Sequence, residues 1–137
     1  MGVRASIINE WFDCMEWGTP NMAETYCLDT TDCFGRRIVF TDTQRELKAR
    51  QRPELREEGI LARIKQAVCN PTFVYPDLDT GNRLAYYTLE YRANNRSHYM
   101  KVVAKDRGED MFIITAYRPD YVKERGKSTL KYGNDDQ

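Results

Sequence analysis

Five polar side chains in the second half of the chain have the chemical types that phosphate chemistry requires. They are Glu90, Arg92, Lys101, Thr115 and Tyr117. Glu90 could take a proton as a base, while Arg92 and Lys101 could bind a phosphate. Thr115 could donate a hydrogen bond to that phosphate, and Tyr117 could act as an acid or as a stacking platform for a nucleobase. These roles require that the five side chains share one surface.

The stretch from Ser97 to Tyr117 predicts the β-hairpin that would position three of them. Two apolar, β-branched runs flank turn-forming residues at 106–109. Because strand side chains switch faces at every residue, Lys101 lies opposite Met100 and Val102. In the second strand, the same alternation predicts one face with Phe112, Ile114 and Ala116 and another with Met111, Ile113, Thr115 and Tyr117.

The preceding strand, Arg83 to Arg92, is expected to extend the same polar face. Alternation predicts that its members on that face are Tyr86, Thr88, Glu90 and Arg92, beside Tyr99 and Lys101 of the hairpin. The alternative is an ordinary solvated face, because aromatic and charged cross-strand pairs stabilise sheets in any case.

Helical patterns precede these strands. Apolar residues recur at helical spacing in residues 3–17, which predicts an amphipathic helix that packs on the domain or on a partner. Thr43 and Glu46 have the spacing of a capping box, which predicts a helix from Thr43 to about Arg50. Pro53 should interrupt it, so a second helix is predicted from Pro53 to Val68.

The order of elements, with helices followed by strands, predicts an α+β fold. We expect N-terminal helices packed on one face of a four-stranded antiparallel meander sheet, with the other face free for binding. The 137 residues suit one domain. Within it we expect an N-terminal helix and irregular extension at 1–35, a core at 36–119, and a polar, fraying C-terminal tail at 120–137.

Composition narrows the function classes. The chain has 21 basic and 21 acidic residues, so it lacks the overall positive charge of many nucleic-acid binders. Basic residues are nevertheless dense between residues 36 and 65, where Arg50 and Arg52 could bind a phosphate if their helix borders the polar face. No apolar run approaches the roughly 20 residues of a membrane span, so we expect a cytoplasmic protein without membrane contact.

The cysteines and the single histidine give weaker signals. Cys14, Cys27, Cys33 and Cys69 are unevenly spaced, without a C-x-x-C pair, which favours reduced thiols. A zinc site from the first three and a fourth ligand stays open, although the spacing is not that of a zinc knuckle. We expect no metal and no cofactor. Strand alternation places His98 away from Lys101, which favours a structural or exposed role.

Residues 36–119 resemble the phage-associated members of the barnase–EndoU–colicin–RelE (BECR) nuclease superfamily. The resemblance rests on the order of RIVFT, the helix phrase R-P-E-L, AVCNPTFVYPD, a Tyr-rich strand, YMKVVAK and FIITAY. It implies a BECR-like fold and metal-independent RNA cleavage on the concave sheet face, with Lys101, Thr115 and Tyr117 at matching positions. Relatives often carry a histidine near the helix phrase, where this chain has Arg52 before Pro53.

Two functions follow as hypotheses. The first is a small metal-independent endoribonuclease, toxin- or effector-like, with catalytic Lys101, Thr115, Tyr117 and Glu90 and substrate-binding Arg50, Arg52, Arg92 and Tyr99. The second is a nuclease-like fold without catalytic activity that binds RNA or a protein. In either case a protein partner or inhibitor could contact the N-terminal helix.

Overall fold

The computed structural model describes residues 24–135, so the predicted helix at residues 3–17 lies outside the described part. The strands are β1 (Tyr26–Thr31), β2 (Arg37–Thr41), β3 (Phe73–Pro76), β4 (Arg83–Ala93), β5 (Arg96–Asp106), β6 (Met111–Tyr117) and β7 (Tyr132–Gly133). The helices are α1 (Asp42–Ala49), a 3-10 helix (Pro53–Arg56) and α2 (Ile60–Cys69). The predicted α+β class is confirmed. No helix within residues 24–135 is long and apolar enough to cross a membrane.

One mixed sheet organises these elements, with the strand order β1-β2-β6-β5-β4-β3-β7. Neighbouring strands are antiparallel except β2 and β6, which run parallel. The four strands from β3 to β6 pair consecutively, but the prediction of a four-stranded sheet was wrong. β6 also pairs in parallel with β2, which precedes the helices in the chain. In addition, β1 forms in a segment expected to be mostly loop, and β7 forms in the C-terminal region.

The helices begin at positions other than those predicted. Thr41 caps α1 instead of Thr43, because its Oγ1 accepts a hydrogen bond from the backbone N–H of Gln44 at 3.0 Å. The second predicted helix is split, because Pro53–Arg56 forms only a 3-10 turn and Gly59 adopts a left-handed conformation with φ of 80° just before α2.

The helices pack on one face of the seven-stranded sheet. The apolar stripe of α2 consists of Ile60, Ile64, Ala67 and Val68, all of which are buried. They pack in one cluster with Val74, Tyr86, Met100, Val102 and other inward residues of the sheet. Burying this stripe against the strands supplies much of the hydrophobic stabilisation of the domain.

The opposite face of the sheet is also covered. Its core contains Phe73, Tyr75, Ala85, Tyr87 and Tyr99. Val122 and Leu130 pack on it from residues 118–133, which we name the C-terminal segment. Instead of fraying, this segment ends in β7, where Gly133 pairs with Phe73 of β3. The face that we expected to be free is therefore occupied in part by the chain itself.

Candidate functional site

The register of β4 changes which residues accompany Lys101. Lys101 of β5 is opposite Tyr87 of β4, whereas Tyr86 is opposite Val102 and lies in the core beneath the helices. The predicted face of β4 was therefore wrong by one residue, because a one-residue shift moves every side chain to the other face. A register shift between Leu89 and Tyr91 changes the alternation again at Glu90.

A second bulge brings Thr115 and Tyr117 to the face of Lys101. Tyr117 is opposite Lys101 and Thr115 is opposite Val103, but the next pair joins Ile113 to Ala104. The skipped residue, Ile114, interrupts the alternation of β6. Ile113 consequently joins the core beneath the helices, whereas alternation alone had placed it beside Thr115.

Lys101 is the centre of a buried ion-pair cluster that also contains Glu124 and Tyr87. Only 2% of the Lys101 side chain is exposed, and its Nζ lies 3.1 Å from Oε2 of Glu124, whose side chain is fully buried. The Tyr87 hydroxyl donates to the other carboxylate oxygen of Glu124 at 2.5 Å. Burial and then this hydrogen bond raise the pKa of Tyr87. Glu124 thus pairs with the charge of Lys101 and accepts the hydrogen bond of the Tyr87 hydroxyl.

Tyr117 lies at the edge of this cluster, between two cations. The guanidinium carbon of Arg52 is 3.9 Å from the centroid of the Tyr117 ring, and Lys101 Nζ is 5.7 Å from it. Arg50 and Arg52 are exposed and form no ion pair within residues 24–135. We name Arg50, Arg52 and Tyr117 the cationic rim. It unites two predicted substrate-binding residues with one predicted catalytic residue.

Glu90 is separated from Lys101. Its carboxylate contacts Arg63 of α2 at 2.8 Å and Arg118 at 2.7 Å, and only 6% of its side chain is exposed. Arg118 also pairs with Glu57 at 3.1 Å. Through these two arginines Glu90 links α2 to the residue after β6, and the geometry does not place it where a base acting beside Lys101 would have to be.

The other three predicted site residues have different surroundings. The hydroxyl oxygen of Thr115 is buried and has no hydrogen-bond partner in the described part of the chain. Tyr99 is 8% exposed and packs on the ring of Phe73 at 5.2 Å between centroids, so it belongs to the core. Arg92 is exposed and donates to the hydroxyl of Ser97 at 2.6 Å.

Sequence reasoning missed Glu124 and Tyr87. Tyr87 was missed because the register of β4 cannot be read from its composition. Glu124 lies in a charged stretch that contains few apolar residues. Two of them, Val122 and Leu130, favour burial and could have indicated that this stretch packs on the sheet.

The remaining candidates are His98 and the cysteines, of which residues 24–135 contain three. His98 stacks on Tyr91 with ring centroids 4.5 Å apart and is paired with it across β4 and β5, away from Lys101. Cys27, Cys33 and Cys69 are free thiols, and Cys14 lies outside the described residues. Between residues 24 and 135, no group of three or more His, Cys, Asp or Glu side chains is arranged to hold a metal ion.

No protein-family model, no curated protein and no solved structure matches this chain. The relation to BECR nucleases therefore stays a hypothesis that rests on the sequence phrases, and the function has to be argued from the geometry.

Proposed function

We propose that the chain binds single-stranded RNA at the cationic rim and does not cleave it. The observation that carries this proposal is the pairing of Lys101 with Glu124. A cation that is 2% exposed and already bound to a carboxylate is poorly placed to hold a phosphate. Two exposed arginines without an ion pair in the described residues are better placed: Arg52, which contacts Tyr117 at the edge of the cluster, and Arg50, two residues before it in the chain.

The rim has the two features that single-strand recognition uses. Proteins bind single strands through cations that contact the backbone and through flat groups on which bases stack, including arginine guanidiniums. The guanidinium carbon of Arg52 lies 3.9 Å from the centroid of the Tyr117 ring, and because Arg52 is exposed, its side turned away from the ring can receive a base. The N–H groups at the edge of the Arg52 guanidinium and those of Arg50 can then donate to neighbouring phosphates. Glu57 and Glu90 are paired with Arg118, and Glu90 is paired also with Arg63, which limits the repulsion of the RNA by these carboxylates.

The test combines binding and cleavage on one RNA. A labelled single-stranded oligonucleotide is incubated with the protein in EDTA, its binding is followed by fluorescence anisotropy and its length by gel electrophoresis. We expect intact RNA, and about tenfold weaker binding for Arg52→Ala and for Tyr117→Ala, from the loss of one stacking contact. The control is Lys65→Ala, since Lys65 is an exposed lysine of α2 outside the rim. Absence of binding at low salt, or equal loss in the control, refutes the proposal.

An endoribonuclease is the second candidate. Lys101, Thr115 and Tyr117 project from one face, and the Thr115 hydroxyl lacks a partner in the described residues, as a group awaiting a substrate would. Cleavage would require Glu124 to release Lys101. The same RNA assay is run on wild type and on Glu124→Gln, which removes the carboxylate that holds Lys101. EDTA-resistant cleavage that disappears in Lys101→Ala and Tyr117→Ala supports the nuclease and contradicts the binding module.

A further inference from the structure

A cleft lies at the end of the sheet remote from Tyr117, where β4 begins and β5 ends. Its volume is about 630 Å³, within the range of small-molecule sites. Its lining includes Phe34, Arg36, Asn82, Arg83, Asp106 and Lys131. The loop after β1, the start of β4 and the residues before β7 thus meet around one concave surface.

The charge of this lining is positive. Arg36 is engaged by Asp106, with 3.0 Å between Nη1 and Oδ2. Arg83 and Lys131 have no carboxylate partner within residues 24–135. Two cations without a partner in one cleft create a positive potential that favours an anionic ligand.

Arg83 also carries an unsatisfied donor. Its Nε is buried and has no hydrogen-bond acceptor in the described part of the chain. A buried donor without an acceptor loses the hydrogen bond that water would have given it, which costs stability. A phosphate is the ligand that matches a guanidinium best, because its oxygens accept the parallel N–H bonds of the fork.

Two aromatic rings flank the cations. Phe34 is 40% exposed and Tyr132 is 37% exposed, and their rings meet edge to face with centroids 5.8 Å apart. Exposed aromatic surface beside cations suits a ligand that has both a flat ring and a phosphate. We propose that the cleft binds a nucleoside phosphate, with its phosphate on Arg83 and Lys131 and its base on Phe34. This site does not depend on the function proposed for the cationic rim.

Isothermal titration calorimetry of the full chain with AMP tests the proposal. Adenosine and inorganic phosphate serve as separate probes of the two halves of the ligand. We expect saturable AMP binding with a Kd of about 1 mM or below, and binding of either half at least about tenfold weaker. No saturable AMP binding overturns the proposal, as does phosphate or adenosine that binds as tightly as AMP.

Variants locate the binding. We expect Arg83→Gln and Lys131→Gln each to weaken AMP binding about tenfold, the usual loss for a charge-assisted hydrogen bond. Because Lys131 is exposed, its substitution is decisive even if Arg83→Gln disturbs the fold. The control is Lys105→Gln, an exposed lysine paired with Arg83 across β4 and β5 but outside the lining, which should stay within about twofold of wild type.

Phe34→Ala should weaken AMP and adenosine by the same factor and leave phosphate binding unchanged. Binding of single-stranded RNA is measured in parallel on Lys131→Gln and should be retained, so that failure at the cleft is distinguishable from failure at the rim. Equal AMP affinity in wild type, Lys131→Gln and Phe34→Ala overturns the assignment of the cleft.

Discussion

Lys101 and Glu124 form an ion pair that is sealed between the sheet and the C-terminal segment, with 3.1 Å between Nζ and Oε2. Removing two charges from water costs about as much free energy as their attraction returns, so the pair adds little net stability. Glu124 supplies one oxygen to Lys101 and one to Tyr87, which fixes where the C-terminal segment rests on the strands.

Breaking this pair on one side should be far more costly than removing it altogether. We expect Lys101→Met to lower the free energy of unfolding by about 3–5 kcal/mol, because Glu124 is then a buried charge without a cation. The triple variant Lys101→Met, Glu124→Leu, Tyr87→Phe should lie within about 2 kcal/mol of wild type, since no buried charge or hydroxyl is left unpaired. Urea unfolding followed by circular dichroism measures both.

A surface pair provides the control for this comparison. Nη2 of Arg37 lies 2.7 Å from Oδ2 of Asp29, and both side chains are about half exposed, so Arg37→Ala should lower the free energy of unfolding much less than Lys101→Met. If Lys101→Met has the same urea midpoint as Arg37→Ala, the buried pair does not hold the C-terminal segment as the structure indicates.

Local chemistry made much of the framework predictable. Residues 107–110 form the turn between β5 and β6, where Gly108 has φ of 91°. The backbone N–H of Gly108 donates to the carboxylate of Asp106 at 2.8 Å. The apolar stripe of α2 was likewise readable from its spacing. Both features depend on residues close together in sequence, which is why the sequence reports them.

The bulges and the covered face were not predictable in the same way. The residue types at Glu90 and Ile114 do not indicate a bulge, yet each bulge reverses the alternation on which the site prediction depended. The contact between Glu124 and Lys101 joins residues 23 positions apart through packing of a mostly polar segment. The sequence therefore indicated Lys101, Tyr117 and Arg52, whose side chains lie close together in the structure, but not the carboxylate that pairs with Lys101.

Gly133 should be needed for the C-terminal segment to dock. Its φ is 76°, and a Cβ built there would lie 2.1 Å from the backbone oxygen of Thr72. Gly133→Ala should therefore strain or detach β7, at a cost on the order of 1–3 kcal/mol. Hydrogen–deuterium exchange should show faster exchange at the Lys131 backbone N–H, which bonds to Val74.

Gly81→Ala is the matched control for this substitution. A Cβ at Gly81 meets no atom within 4 Å and its φ is outside the left-handed region, so alanine should be neutral or slightly stabilising. Equal stability of the Gly133→Ala and Gly81→Ala variants would show that β7 does not approach Thr72 as closely as described.

Buried tyrosine hydroxyls should make the fold sensitive to alkali. Burial and then the hydrogen bond to Asp135 raise the pKa of Tyr75 from 10.0 to about 12. Burial and then a carboxylate partner also raise the pKa values of Tyr86 and Tyr87. Because the folded state holds these protons more tightly, their stabilisation is complete below pH 10 and is lost as the pH rises through the folded values.

The measurement is the urea midpoint as a function of pH. Tyrosine ionisation should leave the urea midpoint unchanged up to about pH 10 and lower it above that pH. The Tyr87→Phe variant should show a less steep fall. Tyr121→Phe is the control, because Tyr121 is 72% exposed and its hydroxyl makes no hydrogen bond within residues 24–135. A fall of the same steepness in the Tyr87→Phe variant would contradict the role given to Tyr87.

Salt dependence should separate the two kinds of contact at the cationic rim. Each phosphate held by a cation on single-stranded RNA contributes about −0.7 to the slope of log K against log salt, so Arg50 and Arg52 together predict a slope of about −1.4. Arg50→Ala should reduce the magnitude of the slope by about 0.7. Tyr117→Ala should weaken binding by a similar factor at every salt concentration, because Tyr117 is uncharged and supports the stacking surface of Arg52 without releasing a counterion.

Fluorescence anisotropy titrations between low and physiological salt measure these slopes, with Lys65→Ala as the variant that removes a charge elsewhere. A slope much steeper than −1.4 that Lys65→Ala also reduces would mean that RNA contacts a broad basic surface, and the rim would not be the site. A slope near zero in wild type would exclude phosphate contacts altogether. Only a change confined to Arg50 and Arg52 is consistent with RNA binding at the cationic rim.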